Sequence, residues 1–210
     1  MTQNIQIHNQ SFVLHPSGSL FWEEKSVLMI SDVHLGKVSH FRKYGAAVPQ
    51  KAIQANFELM DEVVELFDPN NIYFLGDLFH SHINSEWNLF EEWTSKSTSK
   101  IILINGNHDI IPPLKYEALG IIIQDELVEK DFLLTHHPAE RENYFNFCGH
   151  IHPAVKIRGS GKQSLRLPCF FKSPNQMILP AFGEFTGSFT LKPNKKDQVF
   201  AIAEGMIIKI

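Results

Sequence analysis

Five short apolar runs, each ending in side chains that can hold a metal ion, constrain this chain more than any other feature. Ser26 to Ile30 leads into Ser31-Asp32-Val33-His34, Asn71 to Leu75 into Gly76-Asp77, and Lys100 to Ile104 into Asn105-Gly106-Asn107-His108-Asp109. Phe132 to Thr135 leads into His136-His137, and Phe145 to Cys148 into Gly149-His150-Ile151-His152. Short runs rich in Ile, Val, Leu and Phe read as strands buried on both faces. In open sheets with helical crossovers, ligands gather at the carboxyl ends of the strands, which is where these polar residues fall.

Helical patterns lie between the runs. Pro49 stands at a plausible first helical position, Ile53, Phe57, Met60, Val64 and Phe67 recur at helical spacing, and Pro69 closes the segment. Ser85 to Thr94 carries Trp87, Phe90 and Trp93 on a second stripe, which reads as core. Pro112 to Leu119 is a short third helix with Gly120 in the position after its end. After His152 only strand-like segments follow: Val155–Gly159, Ser164–Pro168, Met177–Leu179, Gly187–Leu191, Val199–Ile202 and Met206–Ile210. Pro193 to Asp197 forms a turn between two of them. Alternation first and strands afterwards predict an α/β (α+β) chain of two packed sheets with helices outside.

The chain has 210 residues and 24.0 kDa, which suits a single domain over 1–210. With 43% hydrophobic and 20% charged residues it is ordinary globular material. Lys+Arg 19 against Asp+Glu 23 leaves a formal charge of −4, so a polyanion has to be met by a local positive site. The two cysteines, Cys148 and Cys169, are too few for a disulfide framework or a thiolate zinc site. Met1 to Ile7 has no basic stretch running into an apolar one, and no run reaches the roughly 18 residues of a membrane helix. A soluble cytoplasmic protein is expected. The chain has 11 histidines, and those from His34 to His152 fall among the strand-end clusters.

The strand ends offer imidazole, carboxylate and amide donors without a thiolate. That set suits Mn²⁺, Fe or Zn²⁺ better than Ca²⁺, which prefers oxygen alone. Asp32, His34, Asp77, Asn107, His136, His150 and His152 are too many for one ion and natural for two that share a carboxylate. Asp32 and His34, two apart on a strand end, project to one side and can grip one ion; His150 and His152 stand in the same relation. Spacing leaves open whether His136 or His137 is the ligand.

Asp-x-His (Asp32, His34), Gly-Asp-x-x-His (Gly76 to His80), Gly-Asn-His-Asp (Gly106 to Asp109), His136 and Gly-His-x-His (Gly149 to His152) together resemble the calcineurin-like metallophosphoesterase signature. Asp32 to Arg42, Gly76 to Ser81, Leu165 to Phe170 and Leu179 to Gly187 resemble, more narrowly, the bacterial ligase-associated DNA damage response endonucleases. The resemblance implies a four-layer α/β/β/α sandwich and two divalent ions, commonly Mn²⁺. One ion falls to Asp32, His34, Asp77 and His152, the other to Asp77, Asn107, His136 and His150, with Asp77 bridging. Two metals about 3.5–4 Å apart can acidify a shared water and clamp the phosphoryl oxygens through in-line displacement. The same resemblance makes His108 the residue that meets the leaving oxygen and selects His136 over His137.

Asp109 is expected either to orient the His108 ring or to cap the following helix. His80 is expected to touch substrate or a ligand. Arg42, with Lys37 and His40, is expected to meet flanking phosphates or to lie in a solvated loop. His82 reads as a surface residue, Glu184 is unassigned, and Cys148 reads as a small buried hydrophobe. His8 and His15 have no motif around them. The function expected is a phosphodiesterase, most simply a DNA endonuclease in DNA repair acting on single strands or exposed ends. A helicase or ligase partner accompanies that label, and no membrane does. Hydrolysis of a small nucleotide or pyrophosphate is the competing enzymatic reading, and a non-catalytic scaffold on the same fold is the other.

Overall fold

The computed structural model describes residues 1–43, 45, 51–159, 163–183 and 186–210. Strands β1 (Gln3–Ile7), β2 (Gln10–Leu14), β3 (Leu20–Trp22) and β4 (Val27–Ile30) pair antiparallel in chain order. Helical crossovers then take over. Helices α1 (Lys37–Lys43) and α2 (Lys51–Phe67) lead to β5 (Asn71–Phe74), α3 (Ser85–Lys96) to β6 (Lys100–Ile104), and α4 (Pro113–Glu117) to β7 (Ile122–Gln124). Strands β4 to β7 are parallel neighbours, so the first sheet is seven-stranded and mixed.

The second sheet holds β8 (Glu126–Glu129), β9 (Phe132–Thr135), β10 (Phe145–Cys148), β11 (Pro153–Arg158), β12 (Ser164–Ser173), β13 (Gln176–Ile178), β14 (Phe189–Thr190), β15 (Gln198–Ala203) and β16 (Met206–Lys209). Here β9, β10 and β13 run parallel, while β12 pairs antiparallel with β11 through its first half and with β13 and β15 through its second. The second sheet is therefore mixed as well.

Side-chain alternation decides the layers. In β4, Leu28 and Ile30 join Ile72, Phe74 and Leu103 under the helices, while Val27 and Met29 join Tyr73, Leu75 and Ile104 on the opposite face. That opposite face is closed by Phe132, Leu134, Phe145, Phe147, Phe170 and Met177 from the second sheet. Each such side chain, fully withdrawn from water, contributes about 1.5–3 kcal/mol. The resulting dry layer locks the two sheets together directly below the strand ends of both.

Helix α2 places Met60 and Val63 in the outer core with Phe57 and Val64 beside them, and α3 adds Trp87, Phe90 and Trp93. Pro49, the expected helix opener, lies outside the described residues; Pro69 follows the helix as expected. Gly120 adopts φ +77° after α4, the left-handed backbone that ends a helix at little cost to glycine. Among the described residues, helices α1 to α4 all precede Gly120 in the chain. In the second sheet, among the described residues, Ile157, Leu167 and Leu191 pack on Cys148, Phe171 and Val199 in a cluster separate from the inter-sheet layer. No helix of the described residues is long and apolar enough to cross a membrane.

Candidate metal centre

The loops after the parallel strands are stitched together by their own backbones. Asp32 N–H donates to Gly76 O at 3.1 Å and His34 N–H to Asp77 O at 2.9 Å, joining the loops after β4 and β5. Gly149 N–H donates to His136 O at 3.0 Å, joining the loops after β9 and β10. Asp32, His34, Asp77, His150 and His152 all have positive φ, between 49° and 66°. Such backbone is uncommon outside glycine, with Asp, Asn and His the more tolerant types, and its recurrence here marks a site whose geometry is held by its surroundings. Two motif glycines serve close approach. A Cβ at Gly149 would collide with Ser31 Oγ and Asp32 Oδ2, and one at Gly106 with the backbone and carboxylate of Asp77.

The two sheets bring the expected ligands into one cluster. Asp32, His34 and His152 form one group with ligand atoms within 4.8 Å of one another, Asp32, Asp77 and His136 a second, and His136, His137 and His150 a third. Asp32 Oδ1 lies 3.1 Å from His152 Nε2, and His34 Nε2 lies 3.3 Å from the same nitrogen. Asp77 faces both ways: its Oδ2 is 3.9 Å from His34 Nε2 and its Oδ1 is 3.4 Å from His136 Nε2. Beyond it, His136 Nε2 sits 3.1 Å from Asn107 Oδ1 and 3.2 Å from His150 Nδ1.

The chemistry of these contacts calls for a cation. His136 Nδ1 meets Leu75 O at 2.9 Å, and His152 Nδ1 meets Gly187 O at 3.0 Å. A carbonyl only accepts, so each Nδ1 carries a proton and, when the ring is neutral, Nε2 turns a bare lone pair inward. Those lone pairs then face carboxylate and amide oxygens, an arrangement that is repulsive until a positive charge sits between them. Asp32 Oδ1 is buried without an aligned hydrogen bond among the described residues, as a ligand oxygen awaiting an ion would be. Its partner Oδ2 is held by Ser31 Oγ at 2.5 Å and by His150 N–H at 3.0 Å.

Charge and burial set the protonation states. Burial is the largest influence on His34 and, only partly offset by Asp32, lowers its pKa to about 3, so the ring is neutral and ready to ligate. Burial likewise lowers His150. Burial also pulls on His152, but the contact with Asp32 and the Gly187 carbonyl outweigh it and the pKa is raised. Asp32 is lowered: burial opposes its charge, and His152, Ser31 and His136 together prevail.

His108 stands at the edge of the cluster, its N–H donating to Asp77 Oδ1 at 2.8 Å and its ring 5.4 Å from that of His34. His80 stacks on the His108 ring at 4.8 Å and lies 5.4 Å from His34, ring to ring. Asp109 gives its oxygens to Phe79 N–H and Gly106 N–H, both at 3.0 Å, and so ties the loop after β6 to the loop after β5. It does not cap α4, whose first turn follows Pro112. Burial raises its pKa to about 6. His136 is buried and His137 exposed on the rim, its ring 4.0 Å from that of His150.

Lys37, His40 and Arg42 lie on a helix rather than a loop. Lys37 is half-buried, and desolvation lowers its pKa against the attraction of Asp77 and Asp32. His40 sits 5.8 Å from His80, ring to ring, while Arg42 is exposed on the last turn of α1. The sequence pattern missed Glu86, which is buried in α3 and accepts from Gly36 N–H at 2.6 Å and Ser39 N–H at 3.0 Å. It thereby caps α1 and fixes the segment following His34. Asn84-x-Glu86 at a helix start signals a local cap, which Asn84 supplies to Glu86 N–H at 3.0 Å; nothing local announces the second task. Ser31, beside Asp32 in sequence, was the other omission.

The remaining expectations fall outside the cluster. His82 is exposed, and His8 stacks on Phe132 at 5.7 Å on the far side of the inter-sheet core. Cys148 and Cys169 are buried free thiols with pKa values pushed up by burial. Glu184 lies outside the described residues.

A family described as calcineurin-like phosphoesterase matches residues 25–161, which span β4 through β11. Among solved structures, the nuclease MPE of Pseudomonas putida is 27% identical, with all of both chains covered and a TM-score of 0.84. A looser likeness joins the chain to the phosphoesterase YfcE of Escherichia coli, at 18% identity, TM-score 0.46, and 88% of this chain against 97% of that one. No curated protein matches.

Proposed function

The chain belongs to the calcineurin-like phosphoesterase family, and from that premise we propose that this metal-dependent phosphoesterase is a phosphodiesterase that cleaves DNA internally, on single strands or near ends. The observation that carries the reading is Asp77, whose two oxygens look toward two separate sets of inward-facing ring nitrogens. Asp32, His34, Asp77 and His152 would hold one ion, and Asp77, Asn107, His136 and His150 the other. His136 is preferred over His137 because its Nδ1 is already held by Leu75 O and its Nε2 faces Asp77 and Asn107. Two divalent cations bound there, Mn²⁺ foremost for this mixed donor set, would supply Lewis acidity to water and to the phosphoryl oxygens.

The rest of the chemistry falls to the chain itself. His108, set by the bond from its backbone N–H to Asp77, delivers a ring proton to the departing oxygen, an effect worth on the order of 10²–10⁴-fold. Asp109 keeps the His108 loop in place through Gly106 and Phe79 rather than through the ring. His80, stacked on His108, and Arg42 on α1 form the flank that receives neighbouring phosphates. Two divalent cations against Asp32 and Asp77 leave the site positive in an acidic protein, so it attracts phosphate locally without a long-range basic surface. The likeness to a nuclease supports DNA as the substrate.

The test compares a short single-stranded oligonucleotide, a cyclic nucleotide and an aryl phosphodiester with defined metals, alongside Asp77→Ala and His108→Ala. Turnover of the oligonucleotide that both substitutions abolish is the expected result. Preference for the cyclic nucleotide would replace DNA with a small nucleotide, and identical traces from all three proteins would leave only a scaffold.

A further inference from the structure

One wall of the metal cluster is shared with a cavity of about 640 Å³ that none of the motifs accounts for. His152 lines it, as does Gly187, whose carbonyl holds the His152 ring. The cavity therefore opens directly beside the ligand that contacts Asp32 and His34. Its size lies within the roughly 300–1,000 Å³ typical of small-ligand pockets.

Much of its lining is apolar. Pro16, Leu59, Pro168, Phe182 and Ile202 give it apolar walls, and no Lys or Arg is among its lining residues. Glu62 places a carboxylate at its border, which disfavours a phosphate. The ammonium of Met1, which donates to Gly205 O at 2.8 Å, lies at the same border with the opposite charge, and hydroxyl and imidazole groups make up the other polar lining. Ser17 N–H donates to His15 Nδ1 at 3.2 Å, so the proton of the neutral His15 ring sits on Nε2, its one remaining polar atom. Ser188 and Thr186 add hydroxyl-bearing side chains. Lys37 of α1 stands close to its mouth, in a crevice that shares Thr186 with the recess. A phosphodiester at the cluster thus finds beside His152 a largely apolar recess that carries one carboxylate and one ammonium at its border.

We propose that this recess binds one unpaired nucleoside of the substrate, base and sugar together, while the adjoining phosphodiester lies at the metal cluster. The proposal rests on the phosphodiesterase reading above and narrows it. A base still paired within a duplex cannot leave its partner to enter a recess without an unpairing cost of a few kcal/mol. Single strands, frayed ends and dinucleotides are therefore the preferred class, and the nucleoside rather than the phosphate backbone decides among phosphodiesters.

Leu59→Trp on α2 and Ile202→Trp on β15 each fill the recess from residues the metal cluster does not use. The full chain loaded with Mn²⁺ is assayed on a thymidine dinucleotide and on methyl p-nitrophenyl phosphate, which carries no nucleoside. The same proteins are titrated calorimetrically with thymidine monophosphate and with inorganic phosphate. For either variant, kcat/KM on the dinucleotide is expected to fall about tenfold or more, as expected for a lost base-sized contact. Turnover of the small diester and the affinity for phosphate stay within about twofold of the parent protein, which also reports an intact fold. Unchanged dinucleotide turnover and nucleotide affinity in both variants, or equal losses on both diesters, overturn the proposal. If the parent protein cleaves neither diester, the phosphodiesterase reading fails, and the contrast between thymidine monophosphate and phosphate decides the recess by itself.

Discussion

The two sheets contribute unlike halves to one site. The first sheet delivers every oxygen donor, Asp32, Asp77 and Asn107, together with His34; the second delivers His136, His150 and His152. The acids of the first sheet are pinned by amides and hydroxyls: Asp77 by His108 N–H, Asp32 by Ser31 Oγ and His150 N–H. The rings of the second sheet are pinned by carbonyls, those of Leu75 and Gly187. Leu75 belongs to the first sheet's inward layer, so one half orients the other. The carboxylates of the first sheet meet the rings of the second only where the Phe-rich layer docks the sheets, so an ion at this cluster would be held by the docked pair rather than by either sheet alone.

That contrast can be broken most severely at its hinge. Asp77→Asn removes the one charge that faces both ring sets, and turnover is expected to fall on the order of 10³-fold or more. Metal analysis after gel filtration is expected to show loss of both tightly held ions. His150→Ala, on the rim of the second sheet, is expected to leave one equivalent. Equal stoichiometry in the two variants would deny Asp77 its bridging place.

His108→Ala is next in size, lowering kcat on the order of 10²–10⁴-fold with metal content unchanged. The loss shrinks on a substrate whose aryl leaving group needs no proton, and the ratio of the two kcat values reads it. Ser31→Ala leaves every ligand in place but frees Asp32 Oδ2 from its hydroxyl, so metal affinity is expected to weaken about 10–100-fold by competition titration.

The smallest effect lies in the pH dependence of stability after chelation. His34, lowered to about 3, and His80, lowered to about 4 by burial with help from Lys37 and His108, resist protonation in the folded protein. The unfolded chain takes up those protons below the ordinary histidine value of 6.5, so the folded state loses stability as pH falls from there toward 4. Asp109, raised to about 6, and His152, also raised, act in the opposite sense and reduce the slope. Thermal unfolding of the chelated protein is therefore expected to shift downward between pH 7 and pH 5, with a steeper shift after metal loading, because bound ions keep the ligand rings unprotonated in the folded state.

Much of this was legible in the order of residues. Runs such as Val27 to Ile30 and Phe145 to Cys148 are too apolar for an edge and too short for a helix, and their polar termini named the candidate ligands. Other elements carried no such signal. Strand β1, Gln3–Ile7, has only Ile5 and Ile7 as apolar residues and takes its register from pairing with β2. Helix α1 offers Val38 and Phe41 over seven residues, and its cap comes from Glu86, some fifty positions away. Gly76 takes the positive φ that suits a glycine, +83°, yet Asp32, His34, Asp77, His150 and His152 also adopt the left-handed conformation, which their residue types do not announce.

By itself, then, the sequence determined which donors stand at which strand ends, because hydrophobic period and residue chemistry are local properties. Only the tertiary structure decided that Asp77 turns one oxygen to each side, that His136 lies inward and His137 outward, and that a recess without Lys or Arg opens beside His152. Those outcomes depend on distances between residues far apart in the chain, which are set only when the Phe-lined faces of the two sheets exclude water and fix their strand ends against each other.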